Sequence, residues 1–426
     1  MAKRLVQSDG SIYQKTTLKN GLRIVTERNQ SVRSVSIGVW IDVGARNESQ
    51  ELNGVTHLIE HMLFKGTKNR NAKQIASEIE NIGGSLNAFT SKESTCYLAR
   101  VMYEHLETAL DVLADLSQNA TLTPNNLDKE KKVVCEEIKE SLETPSDHVH
   151  DLFAEAYWGN HALGRPILGS IDSVTKMPRK SVINYIKNNY KAESVVLAVS
   201  GAISHSKLVK LAKEKFNFAR GKAKTAALAE RTKQQCLMVE SNGLSQSHLC
   251  IGFPGINYRD PLRTAVIALS TYLGGGMSSV LFQKIREQKG LAYTVYTYHE
   301  TFRDAGVFGA YVATEPKNLT DALGMMIKEC NRLKKKKLSA ITMDQIKAQL
   351  KGNLTLAMES TSARMNRLAR QELVLGRFYS LDQTLKEIDS LKSADILKVA
   401  NLMFDNDKLA IAVKGPADKK ALENVI

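Results

Sequence analysis

The chain has 426 residues, more than one ordinary core accommodates, so two domains of roughly 200 residues each are expected. Its 43% hydrophobic and 24% charged residues are those of a folded globular protein, and an aromatic content of only 6% makes the cores aliphatic. The net charge of +14 is spread along the chain, with Lys334-Lys335-Lys336-Lys337 as the one dense block, which argues against nucleic acid as a partner; no apolar run approaches the roughly 18 residues of a membrane span.

The opening stretch Met1 to Gly10 lacks an apolar signal core, and a cytoplasmic protein is the expectation, with prior removal of a presequence the other possibility. Residues 34–43 alternate, with Val35, Ile37, Val39, Ile41 and Val43 on one face of a strand. An apolar helix follows at about 54–65. It carries His57, Glu60 and His61, which fall within about 100° of arc on a 3.6-residue period. Two imidazoles four apart can chelate one metal ion, and the carboxylate between them can activate a bound water. The order H-x-x-E-H inverts the commoner zinc-protease motif. Core histidines bonded to backbone are the alternative, but buried polar groups need partners, and a metal serves all three.

Residues 72–82 form an amphipathic helix with Ile75, Ile79 and Ile82 on its stripe and Gly83-Gly84 as its stop. β-prone residues follow from Ser85 to Ala99, as one or two strands. A helix over 103–117 comes next. Thr123-Pro124 opens another helix that runs to about Leu142 on a stripe of Leu127, Val134 and Ile138. Glu130 and Glu137, seven apart, lie within about 20° of each other at the margin of that stripe. They can lean over a ligand site or simply be solvated.

Residues 217–235 are polar, basic and weakly periodic, and are the linker candidate. The second half then echoes the first: a strand at 247–253, an apolar helix near 267–272, an amphipathic segment ending in Gly290, and a strand from Leu291. Its apolar helix has no histidine, which suggests a duplicated domain with one metal site. The division expected is 1–216, a linker 217–235, and 236–426. Cys96, Cys135, Cys236, Cys250 and Cys330 are scattered with no C-x-x-C, so reduced thiols are expected. His148, His150 and His248 have no ligand spacing. Gly274-Gly275-Gly276 is not followed by the Gly-Lys-Ser/Thr of a phosphate loop.

Several separated motifs now agree. Gly54-Val55-Thr56-His57-Leu58-Ile59-Glu60-His61-Met62-Leu63-Phe64-Lys65-Gly66-Thr67, Leu163 to Gly169, Gly274 to Ser279, and Ile285-Arg286 through Tyr293 resemble the insulinase/pitrilysin family of inverted-motif zinc peptidases. The likeness runs from about Thr17 to Pro416 and is greatest to the short bacterial members similar to the mitochondrial processing peptidase β subunit. The resemblance implies an α+β fold of two structurally similar domains. Each would be a mixed, largely antiparallel β-sheet backed by α-helices, the two facing each other across a cleft.

The resemblance also implies roles. His57 and His61 would bind Zn2+ with Glu137, some 76 positions beyond the second histidine, as third ligand. Glu130 matches a further glutamate close to the metal, and Glu60 the general base. Asn87, Ala88 and Phe89 match an edge strand that pairs with substrate backbone. Arg286 and Tyr293 match a pair from the second domain that closes over the site; by themselves they would be an ordinary surface pair. Val280 and Glu143 depart from residues common in relatives, arginine and aspartate, away from the metal shell. The reading is a zinc endopeptidase acting on extended peptides or presequence-like segments. It would work as a homodimer or as a heterodimer with a related subunit. A non-catalytic subunit of a heteromeric complex is the alternative, though such subunits usually lack the H-x-x-E-H residues held here.

Overall fold

The computed structural model describes residues 3–231, 236–241 and 243–425. In chain order the strands are β1 (Lys3–Val6), β2 (Ile12–Thr17), β3 (Arg23–Arg28), β4 (Ser34–Ile41), β5 (Ser85–Thr90), β6 (Thr95–Met102) and β7 (Val195–Gly201). A second set comprises β8 (Cys236–Glu240), β9 (Ser247–Pro254), β10 (Ala292–Thr301), β11 (Gly306–Thr314) and β12 (Ala410–Lys414). The helices of the first half are α1 (Val55–Leu63), α2 (Ala72–Glu80), α3 (Leu106–Asn119), α4 (Pro124–Glu143), α5 (Pro145–Trp158), α6 (Ile171–Lys176), α7 (Arg179–Asn189) and α8 (His205–Lys215). Those of the second are α9 (Arg263–Gly274), α10 (Leu319–Leu333), α11 (Ala340–Ala357), α12 (Thr361–Leu375), α13 (Leu381–Ser390), α14 (Ser393–Met403) and α15 (Lys419–Glu423).

Two compact α+β units result, each a mixed sheet backed by helices. The first comprises residues 1–138, 166–227 and 354–383, and the second 139–165, 228–353 and 384–426. In the first, the described strands form a seven-stranded sheet in the order β1-β2-β3-β7-β4-β6-β5, antiparallel except for β3 with β7. In the second, five strands run β10-β11-β9-β12-β8, antiparallel except for β12 with β8. Read in matching direction, β3-β7-β4-β6-β5 and β8-β12-β9-β11-β10 are the same path through five consecutive strands. The duplication suggested by the sequence is thus a duplication of topology. β1 and β2 are an added hairpin in the first copy.

The central strand β4 explains the layering. Val35, Ile37, Val39 and Ile41 face a core shared with Leu58, Ile59, Leu110 and Leu113. The opposite face of β4 is covered as well. Ser36 Oγ lies 2.9 Å from Thr361 Oγ1, and Trp40 Nε1 donates to Met365 Sδ at 3.2 Å, both on α12. The equivalent face of the second sheet is covered by α5, which packs on β12, β9 and β8.

Here the compact units depart from the boundaries 1–216 and 236–426. Segment 139–165 belongs with the second unit and 354–383 with the first, because α5 and α12 each bury a face against the sheet encoded by the other half. Of the linker candidate 217–235, residues 232–235 lie outside the described residues. The part from Asn217 onward is irregular yet anchored: Ala192 N donates to Ala219 O at 2.9 Å and Arg46 Nη2 to Ala227 O at 2.8 Å. The cysteines are free. Among the described residues no helix is long and apolar enough to cross a membrane.

Candidate metal centre

The motif helix α1 is short and mostly interior. Val55, Leu58, Ile59, Met62 and Leu63 are buried in the first core, and His57 is buried with them. Spacing of four brings His57 and His61 onto one face, with ring centroids 4.6 Å apart. Helix α4 buries Leu127, Val134 and Ile138, the stripe expected from sequence, and also buries Glu130. One turn-pair further, Glu137 reaches the histidines: its Oε2 is 3.6 Å from His57 Nε2 and 3.5 Å from His61 Nε2.

The two sides that meet at Glu137 fit zinc, and all three ligand atoms lie within 4.8 Å of one another. Tetrahedral ligands at zinc–nitrogen and zinc–oxygen bond lengths are about 3.4 Å from each other. Two imidazoles and one carboxylate are also the donor number of a catalytic site that keeps one position open. Among the described residues, His57, His61 and Glu137 are the group of potential ligands that converges in this way. Burial, reinforced by the neighbouring His61, lowers the pKa of His57 to about 4. Its ring is therefore neutral at neutral pH, the form that binds metal.

The residues around the triangle orient it unequally. Glu130 Oε2 lies 3.3 Å from His61 Nδ1, and its Oε1 pairs with Lys65 Nζ at 3.0 Å. A carboxylate on the far nitrogen fixes the tautomer and the ring plane of a ligating histidine. His57 Nδ1, by contrast, is buried with no hydrogen-bond partner among the described residues, so its ring contacts Glu137 through Nε2 alone.

Glu60 sits beside the histidines and accepts a 2.5 Å hydrogen bond on Oε2 from Thr90 Oγ1. Burial raises its pKa, and Glu137 adds to that, while the Thr90 bond and His61 oppose it. Thr90 ends β5, the edge strand of the first sheet. Asn87, Ala88 and Phe89 lie on this strand and pair inward with Leu98, Tyr97 and Cys96. The N–H of Ala88 is occupied by Asn87 Oδ1 at 2.8 Å. Phe89 packs edge-on against Trp40 with centroids 5.3 Å apart. The first unit thus brings His57, Glu60, His61, Glu130 and Glu137 together beside β5.

Arg286 and Tyr293 meet in the second unit. Arg286 lies within a wide π-type helical turn, Phe282–Gln288, and its Cζ stacks 4.4 Å from the centre of the Tyr293 ring. Its Nη1 donates to Tyr293 O at 2.9 Å. The Tyr293 side chain itself is exposed. Two members of the first-unit cluster escaped the sequence reading. Lys65, four residues after His61, was accessible from helical spacing. Thr90 carried no sequence signal, since only strand register brings it to Glu60.

The family model described as Insulinase (Peptidase family M16) matches residues 23–171, and the model described as Peptidase M16 inactive domain matches residues 176–350. The chain is 40% identical over 401 residues to YmxG of Bacillus subtilis, described as an uncharacterized zinc protease, covering 94% of this chain and 98% of the relative. It is 39% identical over 416 residues to an uncharacterized zinc protease of Streptomyces coelicolor, covering 96% and 90%. Its fold is similar to that of a protease from Helicobacter pylori, with a TM-score of 0.88 and 24% identity over 95% of this chain and 99% of that one. A Pseudomonas fluorescens structure titled peptidase M16 inactive domain gives 0.89 at 19% identity, covering 95% and 98%.

Proposed function

This chain belongs to the insulinase family of peptidases, family M16, and from that membership we propose that it is a zinc-dependent endopeptidase cleaving extended peptides or presequence-like segments. The observation that carries the reading is the convergence of His57, His61 and Glu137 from two helices, their ligand atoms within 4.8 Å of one another. Zinc bound there would polarise the scissile carbonyl and acidify the attacking water. Glu60 is the base. Thr90 holds its Oε2, so Oε1 is left to take the proton and deliver it to the leaving amine. Glu130 keeps His61 turned toward the ligand position. The free side of β5 at Asn87–Phe89 aligns substrate by backbone pairing, the Asn87 amide giving up the Ala88 N–H to the peptide. Arg286 and Tyr293 are the candidates for substrate contacts contributed by the second unit. On the family resemblance, the same reading has the enzyme working as a homodimer or with a related subunit.

The test is metal analysis joined to hydrolysis of a mixed peptide library. About one zinc per chain is expected, with hydrolysis abolished by a chelator. Glu60→Gln should keep the zinc and lose hydrolysis by about 10²–10⁴-fold. Full activity in that variant, or chelator-resistant hydrolysis, removes the proposal.

A further inference from the structure

We infer that Glu48 is a positioning residue for the metal centre: its buried carboxylate stands in for the missing N-cap of α1 and sets where that helix, and hence His57, Glu60 and His61, begins. The inference rests on the zinc-site reading above.

A helix leaves its first N–H groups without internal partners, and a Ser, Thr, Asp or Asn side chain usually satisfies one of them. At the start of α1 this is impossible. The cap residue is Gly54, which has φ +91° and no side chain. Nor could it bear one, since a Cβ would stand 2.6 Å from Leu168 O. The cap must come from elsewhere in the chain, and it comes from Glu48. Its Oε2 accepts from Gly54 N at 2.8 Å and from Asn53 Nδ2 at 3.0 Å, and its Oε1 accepts from Thr56 N at 2.8 Å. The residue is 5% exposed. A negative group here also suits the positive end of the helix.

The same junction is braced from the other side. Asn53 Nδ2 donates to Pro166 O at 3.0 Å, and Ser173 Oγ donates to Asn53 O at 2.8 Å. Thr56 immediately precedes His57, and α1 has nine residues, so little helix lies between the brace and the ligands to absorb an error. Glu137 arrives on a different helix. The register of α1 against α4 therefore decides whether three donors meet, and such sites tolerate displacements of only about 0.5 Å.

The probe is zinc alone, titrated into the full chain in competition with a chromophoric chelator. Glu48→Ala should bind zinc about 10–100-fold more weakly, the usual effect of removing an outer-shell support. Glu48→Gln keeps one acceptor and should recover part of that loss; it carries the comparison if the alanine variant does not fold. Val199→Ala, a buried change in β7, is the control for general destabilisation and should bind zinc as the wild type does. Amide exchange at Gly54 and Thr56 in the metal-free protein should be slow in the wild type and fast in the Glu48 variants. Wild-type zinc affinity in Glu48→Ala, an equal loss in Val199→Ala, or unchanged exchange at those two amides would overturn the inference. A wild-type chain that takes up no zinc would instead overturn the function proposed above, and the exchange measurement would still judge Glu48.

Discussion

Replacing Glu130 by alanine separates a metal-orienting carboxylate from an ordinary ion pair. Glu130 is buried and uses its two oxygens differently, Oε2 at 3.3 Å from His61 Nδ1 and Oε1 at 3.0 Å from Lys65 Nζ. If the first contact matters, Glu130→Ala frees the His61 ring and weakens zinc binding by about 10–100-fold, or about 1.4–2.7 kcal/mol. If only the second matters, Lys65→Met should do the same harm. The Lys65 side chain is 37% exposed, so that pair is solvent-screened and worth about 0–1 kcal/mol. Lys65→Met should therefore change zinc affinity by less than about fivefold. The two variants and the wild type are compared by chelator competition, with calorimetry as a check. The reasoning fails if Glu130→Ala binds zinc at wild-type strength, or if Lys65→Met matches its loss. His57 offers no parallel variant, because among the described residues its Nδ1 has no hydrogen-bond partner to remove.

Gly54→Ala places a Cβ 2.6 Å from Leu168 O at a backbone angle, φ +91°, that suits only glycine; the urea midpoint should drop by the equivalent of about 1–3 kcal/mol, and an unchanged midpoint would refute the strain. His205 gives a pH signature away from the metal centre. Burial lowers its pKa, and its ring nitrogens contact Thr16 Oγ1 at 2.8 Å and Thr26 Oγ1 at 2.9 Å. Arg4 and Arg28 line the same pocket. A histidine whose pKa is depressed on folding takes up protons first in the unfolded chain. Its contribution is complete above about pH 6.5 and is lost as pH falls through that value toward the folded pKa. Urea midpoints measured from pH 8 to pH 5 should decline, and His205→Gln should flatten part of the decline. An identical slope in the variant would exclude His205; His57, His148, His150 and His248, also depressed by burial, contribute to the remainder.

Legibility followed periodicity. The segments with clean periods appear near their expected bounds: β4, α1, α2, β5, β6, α3, α4, β9 and α9. Among the strands that gave no signal, two kinds stand out. Val195–Gly201 and Ala410–Lys414 are buried throughout, so their apolar runs carry no alternation. The β1–β2 hairpin is mostly polar. Helix α12 was hidden for a different reason: its buried face carries charge. Arg364 pairs there with Asp9 and Glu27, and Glu372 with Lys15 and Arg23. A sequence shows such residues as solvent-facing, since it does not display the partners that make burial tolerable. The site divided likewise. His57, Glu60 and His61 follow from helix geometry within one turn. The meeting of Glu137 with them depends on how α4 crosses α1, which no local pattern records, and only the family resemblance pointed to it.

The duplicated topology bears on what the metal is for. The second unit builds the path β8-β12-β9-β11-β10 with α9 where the first has α1, and α9 fills its buried positions with Ala265, Val266, Ala268, Leu269 and Ser270. A helix without ligands is therefore sufficient to complete this architecture. In the first copy the corresponding positions include a buried histidine with an orphaned ring nitrogen and a glutamate whose burial raises its pKa. Both features cost stability relative to an apolar helix. A structural zinc would be needed where the core is too small to hold itself together. Here the core of the first unit is extensive, and its twin forms with no such cluster among its described residues. The polar constellation on α1 is thus not required by this architecture, which supports the proposed catalytic role of His57, His61 and Glu137 over a structural one.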